Sequence, residues 1–353
     1  MDYSIPESRQ EAVKAVLRAL EDATSVILTT HLNADGDGTG CQAALLDHLT
    51  RSGKEVWIVN PTPFPDRYRF LIDDPSRILS AGSETALRQC QAADLCVVVD
   101  TGEVPRIGRV NPLVDGVPKV VIDHHPPADR AIEGLALRDD QAAAAGELVF
   151  DLLVEAGGPW TPAVVRGLYT AILTDTGSFR FSNATPGVHR VAAELIAMGA
   201  SPDQLYRRIY GSHPLRRFRL LQRALDTLDT AHDGQVAWMI IPRDAYRELG
   251  CTPDDLEGMV DIPREVEGAE VALLFREMED GALKISFRSN GEADVNQLAR
   301  QFDGGGHVRA SGAVIHGEVD EVVQEVVQAA GGVLPAGSGS EAEGEPEGQG
   351  ART

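Results

Sequence analysis

His31-Leu32-Asn33-Ala34-Asp35-Gly36-Asp37-Gly38-Thr39-Gly40 is the stretch on which the reading of this chain turns. Ahead of it, Ser25-Val26-Ile27-Leu28-Thr29-Thr30 is a short apolar, β-branched run, the pattern of a buried strand. Behind it, Cys41 to Arg51 carries Ala44, Leu45, His48 and Leu49 at helical spacing. The stretch is therefore a strand-to-helix turn. His31, Asn33, Asp35 and Asp37 fall at every second position, so on an extended chain all four project to one face. An imidazole and two carboxylates crowded together call for a cation, because clustered like charges repel strongly when partly buried.

Two other readings compete. Asn33, Asp35 and Asp37 followed by Gly38 imitate the start of a calcium-binding EF-hand loop. That loop requires a bidentate carboxylate at its twelfth position, which here is Ala44. Gly36, Gly38 and Gly40 approximate a dinucleotide-binding turn, but its last glycine falls on Cys41, and the acidic residues would repel a pyrophosphate. Taken alone, the stretch fits a catalytic metal site and an ordinary Asp/Gly turn equally well.

The 353 residues suffice for two domains with cores, and 43% hydrophobic with 24% charged residues is a globular composition. No apolar run is long enough to span a membrane, and no secretory signal opens the chain. Cys41, Cys90, Cys96 and Cys251 form no C-x-x-C pair, which fits reduced thiols in a cytoplasm and argues against structural zinc. The net charge of −22 would repel a long polyanion. A phosphate-bearing substrate should therefore be small or short and held by local positive charge, which bound metals could supply.

Residues 7–21 read as an opening helix, and further strands are expected at Glu55–Asn60, Leu95–Asp100 and Val117–Asp123, with a helix at Ser83–Ala92. Strands alternating with helices predict a parallel α/β sheet. Ligands of such sheets bind beyond the carboxyl ends of the strands. The first strand runs into His31, Asp35 and Asp37, the next into Asp100, and the last into Asp123-His124-His125. Three strands thus deliver metal-competent side chains to one edge. Helices are expected at 142–156 and 163–174. The second is apolar nearly all round and ends in Asp175, a costly place for a carboxylate unless it is paired or metal-bound. An ordinary C-terminal turn through Gly177 explains the same residues.

Residues 1–186 form the expected first domain and 187–233 a helical linker. The linker arginines, among them Arg207, Arg216 and Arg223, read as a solvated face. A smaller α/β domain follows at 234–330, and 331–353 reads as a disordered tail. In the second domain, Arg288 ends a strand, and Gly304-Gly305-Gly306-His307 leads to Ser311. Consecutive glycines allow close backbone approach and can aim N–H groups at an anion.

His31, Asp35, Asp37, Asp100, Asp123-His124-His125 and Asp175 together resemble the motifs of the DHH phosphoesterase superfamily, and Gly304–Gly312 resembles the glycine-rich motif of its DHH-associated C-terminal domain. The resemblance covers about residues 10–330. Within the superfamily the two-domain length is most similar to the bacterial nano-RNase and pAp-phosphatase group. The resemblance implies two metal ions per chain, manganese in the first place with magnesium or cobalt as substitutes. His31 and Asp35 would hold one, Asp37, His124 and Asp175 the other, and Asp100 would bridge them. A set of carboxylates and imidazoles without thiolate suits Mn²⁺ over Zn²⁺. Asp123 would support a histidine, His125 would act on the phosphate or the transition state, and Asn33 would orient the turn or contact the nucleophile. Arg288, Gly305, Gly306, His307 and Ser311 would bind the far end of the substrate; Arg106 reads either as a phosphate contact or as a surface arginine.

These features and the resemblance predict metal-activated hydrolysis of short oligoribonucleotides and of adenosine 3′,5′-bisphosphate (pAp), by a cytoplasmic protein without membrane or long nucleic-acid partners; the resemblance implies a homodimer. Hydrolysis of cyclic di-AMP or its linear product pApA would use the same residues. A catalytically silent nucleotide sensor is the alternative from another class, although every expected metal ligand is present.

Overall fold

The computed structural model describes residues 3–127, 130–256 and 258–335, and divides into two compact units, residues 1–212 and 213–353. The first unit runs α1 (Glu7–Asp22), β1 (Ser25–Thr29), α2 (Gly36–Arg51), β2 (Glu55–Asn60), β3 (Ile78–Ser80), α3 (Glu84–Ala92), β4 (Leu95–Val99), β5 (Lys119–Asp123), β6 (Leu135–Arg138), α4 (Ala145–Glu155), α5 (Pro162–Asp175), α6 (Pro186–Ala197) and α7 (Pro202–Tyr210). Its six strands form one sheet in the order β3-β2-β1-β4-β5-β6, every neighbouring pair parallel.

The strands are apolar on both faces because both are covered. Val26, Leu28, Val97, Val99, Val120 and Ile122 point to the side packed by α1, α2, α4 and α5. The alternate residues Ile27, Cys96, Val98 and Val121 point to the other side, where α3 and the 3-10 segment 104–114 close the layer. The chain leaves β1 toward β2 and β3, then crosses to β4 on the opposite flank of β1. The gap beyond the carboxyl ends of β1 and β4 is therefore the place where this topology opens a crevice.

Helices α2 and α5 pack closely at glycines. A Cβ on Gly40 would strike the Gly167 carbonyl, and one on Gly36 would overlap the Thr174 side chain. This contact sets the first turn of α2 beside the last turn of α5.

The second unit runs α8 (Leu215–Leu225), β7 (Asp229–Ala231), β8 (Val236–Ile241), α9 (Arg243–Glu248), α10 (Asp261–Arg264), β9 (Val271–Glu277), β10 (Ala282–Ser289), α11 (Val295–Arg300), β11 (Gly305–His307), β12 (Ala310–His316) and α12 (Val319–Ala330). The sheet order is β11-β12-β10-β9-β8-β7, antiparallel except for β8 and β9. Val271, Leu273 and Phe275 face a core shared with α11 and α12, whereas Leu274 faces α8 and Met259.

The helical stretch 187–233 is divided between the units. Val188, Val191, Leu195, Leu205 and Ile209 are buried in the first core, and Leu220 and Ala224 in the second. Gly331–Val333 form a 3-10 turn, with Val333 and Leu334 packed on the second core; the remainder of the expected tail, 336–353, lies outside the described residues. The strands β3 and β6 are additions to the sequence reading. Both are edge strands of three and four residues, too short to show a period. All four cysteines are free.

Candidate metal centre

The stretch 31–40 is not extended. β1 stops at Thr29, Asn33 takes a left-handed φ of 56°, and α2 begins at Gly36, five residues before the helix expected from Cys41. The cause is local. Asp35 caps the helix, its Oδ1 accepting from the N–H groups of Asp37 (3.0 Å) and Gly38 (3.2 Å). The expected common face of His31, Asn33, Asp35 and Asp37 therefore does not exist; the turn sends these side chains to separate places.

His31 and Asp35 converge on Asp100. His31 Nε2 lies 3.1 Å from Asp100 Oδ2 and 3.6 Å from Asp35 Oδ2. Its Nδ1 faces the Leu32 carbonyl at 2.8 Å; a proton there leaves the Nε2 lone pair for a cation. Asp100 follows β4 with φ 61°, in the left-handed region that a non-glycine residue occupies at a cost. That turn drives its carboxylate back over the sheet edge, where it is buried.

Asp37, His124 and Asp175 form a second group. Asp37 is fully buried, and its two oxygens accept from the first N–H groups of α4: Ala145 at 2.6 Å and Gly146 at 2.8 Å. His124 turns Nδ1 toward the Ala142 carbonyl at 3.3 Å. Its Nε2 is buried without a hydrogen-bond partner. Around it stand Asp37 Oδ2 at 3.7 Å, Asp100 Oδ1 at 3.5 Å and Asp175 Oδ2 at 3.5 Å. Donor atoms about 2.1 Å from one ion are separated by about 3.0–3.5 Å, so these spacings are those of a slightly open coordination shell. Asp175 ends α5, where the helix dipole disfavours a negative charge.

The electrostatics point the same way. Burial, reinforced by Asp100 and Asp175, pushes the Asp37 carboxyl well above the usual carboxylate range. Burial also lifts Asp175, to about 7, with His124 opposing. Burial works against a charged His31, but Asp100 and Asp35 outweigh it and hold the ring up to about 10; His124 is held up to about 10 against burial by Asp100, Asp37 and Asp175. Asp100 stays below the ordinary range in spite of burial, through its contacts with His124 and His31. Such a cluster binds positive charge, as protons or as metal.

His125 sits at the rim. Its Nδ1 lies 2.9 Å from Asp123 Oδ1, which also accepts from the His125 N–H at 3.2 Å. With Nδ1 engaged there, Nε2 faces Arg106 Nη1 at 3.5 Å, so Arg106 joins the site. Asn33 is exposed, and its N–H donates to Thr62 Oγ1 at 2.8 Å. Among the described residues, His, Asp, Glu and Cys ligand atoms gather within 4.8 Å in three groups: His31-Asp35-Asp100, Asp37-His124-Asp175 and Asp100-His124-His125.

In the second unit the glycine segment is a hairpin at the edge of a sheet, not a free loop. Gly305–His307 form β11 and pair with β12, Gly305 opposite Gly312 and Gly306 opposite Ser311. A Cβ on Gly304 would meet the Gly312 carbonyl and one on Gly306 the Ala310 carbonyl, so these glycines answer first to strand packing. Arg288 stands opposite Ala310, which is itself opposite His307, and its Nη1 donates to the Phe287 carbonyl at 3.0 Å. Ser311 is buried. The side chain of His307 lies outside the described residues. Arg288, Gly306 and Ser311 thus occupy adjoining strands.

The sequence reading missed Asn183, whose Nδ2 donates to the carbonyls of Ala143 (3.0 Å) and Asp175 (3.1 Å). It also missed the N-terminus of α4 as the seat of Asp37. The run Ala142–Gly146 has no side chain that could signal such a role; its contribution is entirely backbone.

Residues 25–172 match the DHH family, N-terminal domain, and residues 234–334 match the DHHA1 domain. The bifunctional oligoribonuclease and PAP phosphatase NrnA of Thermus thermophilus is 34% identical over 340 residues, 93% of this chain and 97% of that protein. The protein of the same name from Bacillus subtilis is 26% identical, over 88% of this chain and 96% of its own. The crystal structure of an exopolyphosphatase-related protein from Bacteroides fragilis superposes with a TM-score of 0.85 at 27% identity, covering 92% of this chain and 96% of that one. With both domains matched in order and a relative one-third identical along almost its entire length, this chain belongs to the DHH family, a DHH domain followed by a DHHA1 domain.

Proposed function

We propose that this protein hydrolyses short oligoribonucleotides and removes the 3′-phosphate of pAp, using two divalent cations, manganese by preference. One observation carries the reading: the buried Nε2 of His124, unpartnered among three carboxylate oxygens, joined through Asp100 to a second histidine–carboxylate group. Asp35, Asp37, Asp100 and Asp175 carry four negative charges when ionised, which two divalent ions balance; a buried cluster of that charge is otherwise costly. The donors are carboxylates and imidazoles, the set that suits Mn²⁺. The relatives named as oligoribonuclease and PAP phosphatase match nearly their full length.

Cations bound there would supply an activated water and neutralise the phosphoryl oxygens. The chain's own residues do the rest. Asp100 and His124 fix the spacing of the two groups. His125, its Nδ1 turned to Asp123, offers Nε2 together with Arg106 to the phosphate or leaving oxygen. In the second unit, Arg288 with Ser311 and the Gly305–Gly306 backbone would bind nucleotide, and His307 with them. Asn33 would steady the turn carrying His31 and Asp35. The resemblance implies a homodimer, and the free thiols suit a reducing cytoplasm.

The test is a side-by-side assay of pAp, pApA, longer oligoribonucleotides and cyclic di-AMP with Mn²⁺, read by product chromatography. Release of AMP from pAp and of mononucleotides from short oligomers is expected. Turnover confined to cyclic di-AMP, or binding of pAp without hydrolysis, would overturn the reading.

A further inference from the structure

Arg9 lies on α1, ahead of the segment matched to the DHH domain, and is only 5% exposed. A guanidinium that deep must be paired. Its Nε donates to Asp139 Oδ2 at 2.5 Å, and its Nη1 to Glu147 Oε1 at 2.9 Å and Asp151 Oδ2 at 3.0 Å. Asp139 and Glu147 are the two ends of the segment that links β6 to the first turn of α4. Glu147 closes the segment from inside as well, its Oε2 accepting from the Ala143 N–H at 3.0 Å.

Ala142, Ala143, Ala145 and Gly146, between those ends, serve one half of the candidate metal centre. The Ala142 carbonyl faces His124 Nδ1. The N–H groups of Ala145 and Gly146 hold both oxygens of Asp37. The Ala143 carbonyl shares the Asn183 amide with the carbonyl of Asp175. His124, Asp37 and Asp175 are one of the three candidate ligand groups. Among the described residues, no hydrogen bond or ion pair links 139–147 to His31, Asp35 or Asp100, which are organised by the turns after β1 and β4.

We propose that Arg9 is a positioning residue for the Asp37–His124–Asp175 cation alone: by clamping both ends of segment 139–147, it fixes the backbone groups that orient those three ligands. The proposal rests on the metal-centre reading above. Its physical content is that groups orienting a metal's ligands typically govern affinity by about 10–100-fold.

The experiment titrates Mn²⁺ into the full-length protein by calorimetry, with the free ion followed by electron paramagnetic resonance and folding followed by circular dichroism. Two backgrounds isolate the sites: His31→Ala leaves the Asp37 group, and Asp175→Asn leaves the His31 group. Arg9→Met is expected to weaken Mn²⁺ binding about tenfold or more in the first background and to leave it within about twofold in the second. Arg9→Lys should recover part of the loss. Should Arg9→Met not fold, Asp139→Ala removes the tie to the segment's first end, together with the bond that Asp139 accepts from the Gln141 N–H, and keeps Arg9 paired with Glu147 and Asp151; it should weaken the same site and spare the other. Leu20→Ala, a buried position of the same helix, controls for general loss of stability and should leave both affinities alone. Equal weakening at both sites, unchanged affinity at the Asp37 site, or the same loss from Leu20→Ala overturns the proposal. If neither background nor the parent protein binds Mn²⁺, the metal-centre reading itself fails instead.

Discussion

The two halves of the candidate metal centre are built in different ways. The His31–Asp35–Asp100 half hangs on turns: Asp35 is 51% exposed at its side chain, and Asp100 reaches the site through a left-handed residue. The Asp37–His124–Asp175 half is set between helices. Asp37 is fully buried against the start of α4, and Asp175 comes from the end of α5, held beside α2 by the Gly36, Gly40 and Gly167 contacts. One half can adjust to what it binds, and water screens part of its charge. The other is over-determined, and its charges are costly without a cation. The difference suggests that the helix-built half is the tighter site and the turn-built half the more exchangeable one.

Asp100 belongs to both halves, so its loss should have the largest effect. Asp100→Ala is expected to lower Mn²⁺-dependent hydrolysis of pAp and pApA by at least about 10²–10³-fold, the scale of losing a group aimed at developing charge. Survival of that activity would falsify the bridging role.

Next comes the contrast between Asp37 and Asp35. Asp37→Ala should cost about 100-fold in Mn²⁺ affinity, and Asp35→Ala about tenfold or less, because water can replace the exposed carboxylate. Calorimetric titration of the two variants measures the difference, and equal losses would erase the distinction between the halves.

The smallest effect is on pH. Burial holds Asp175 up to about 7, and Asp100 and its neighbours hold His124 up to about 10. A cation must displace the protons these groups carry, so apparent Mn²⁺ affinity should rise with pH across pH 6–8 and fall as Asp175 is protonated below about 7. The steeper rise is expected in the helix-built half, isolated in the His31→Ala background. A flat profile there would mean that Asp175 does not bind the ion.

Much of the fold was legible. Runs such as Leu95–Val99 and Lys119–Asp123 announce parallel strands covered on both faces, because continuous β-branched apolar sequence has few other stable settings. Edge strands β3 and β6 were not, since three or four half-exposed residues carry no periodicity. The residue types of the metal centre could be read from the strand ends. Their grouping came only with the family resemblance, and the path of the turn that carries four of them was misread. The alternation of His31, Asn33, Asp35 and Asp37 looked like one extended face until the Asp35 cap began α2 at Gly36. The glycines at 304–306 looked like a loop, whereas Gly305 and Gly306 belong to an edge strand paired with β12. Arg9 gave no signal at all, standing 130 residues before Asp139 and 138 before Glu147.

By itself, then, the sequence determined which atoms could hold a cation and that three strands would present them along one edge, because hydrophobic periodicity and residue chemistry are local properties. The tertiary structure alone decided how each candidate ligand is held, since that depends on how α2 packs against α5 and on backbone groups of segment 139–147, and neither leaves a mark in the order of side chains along the chain.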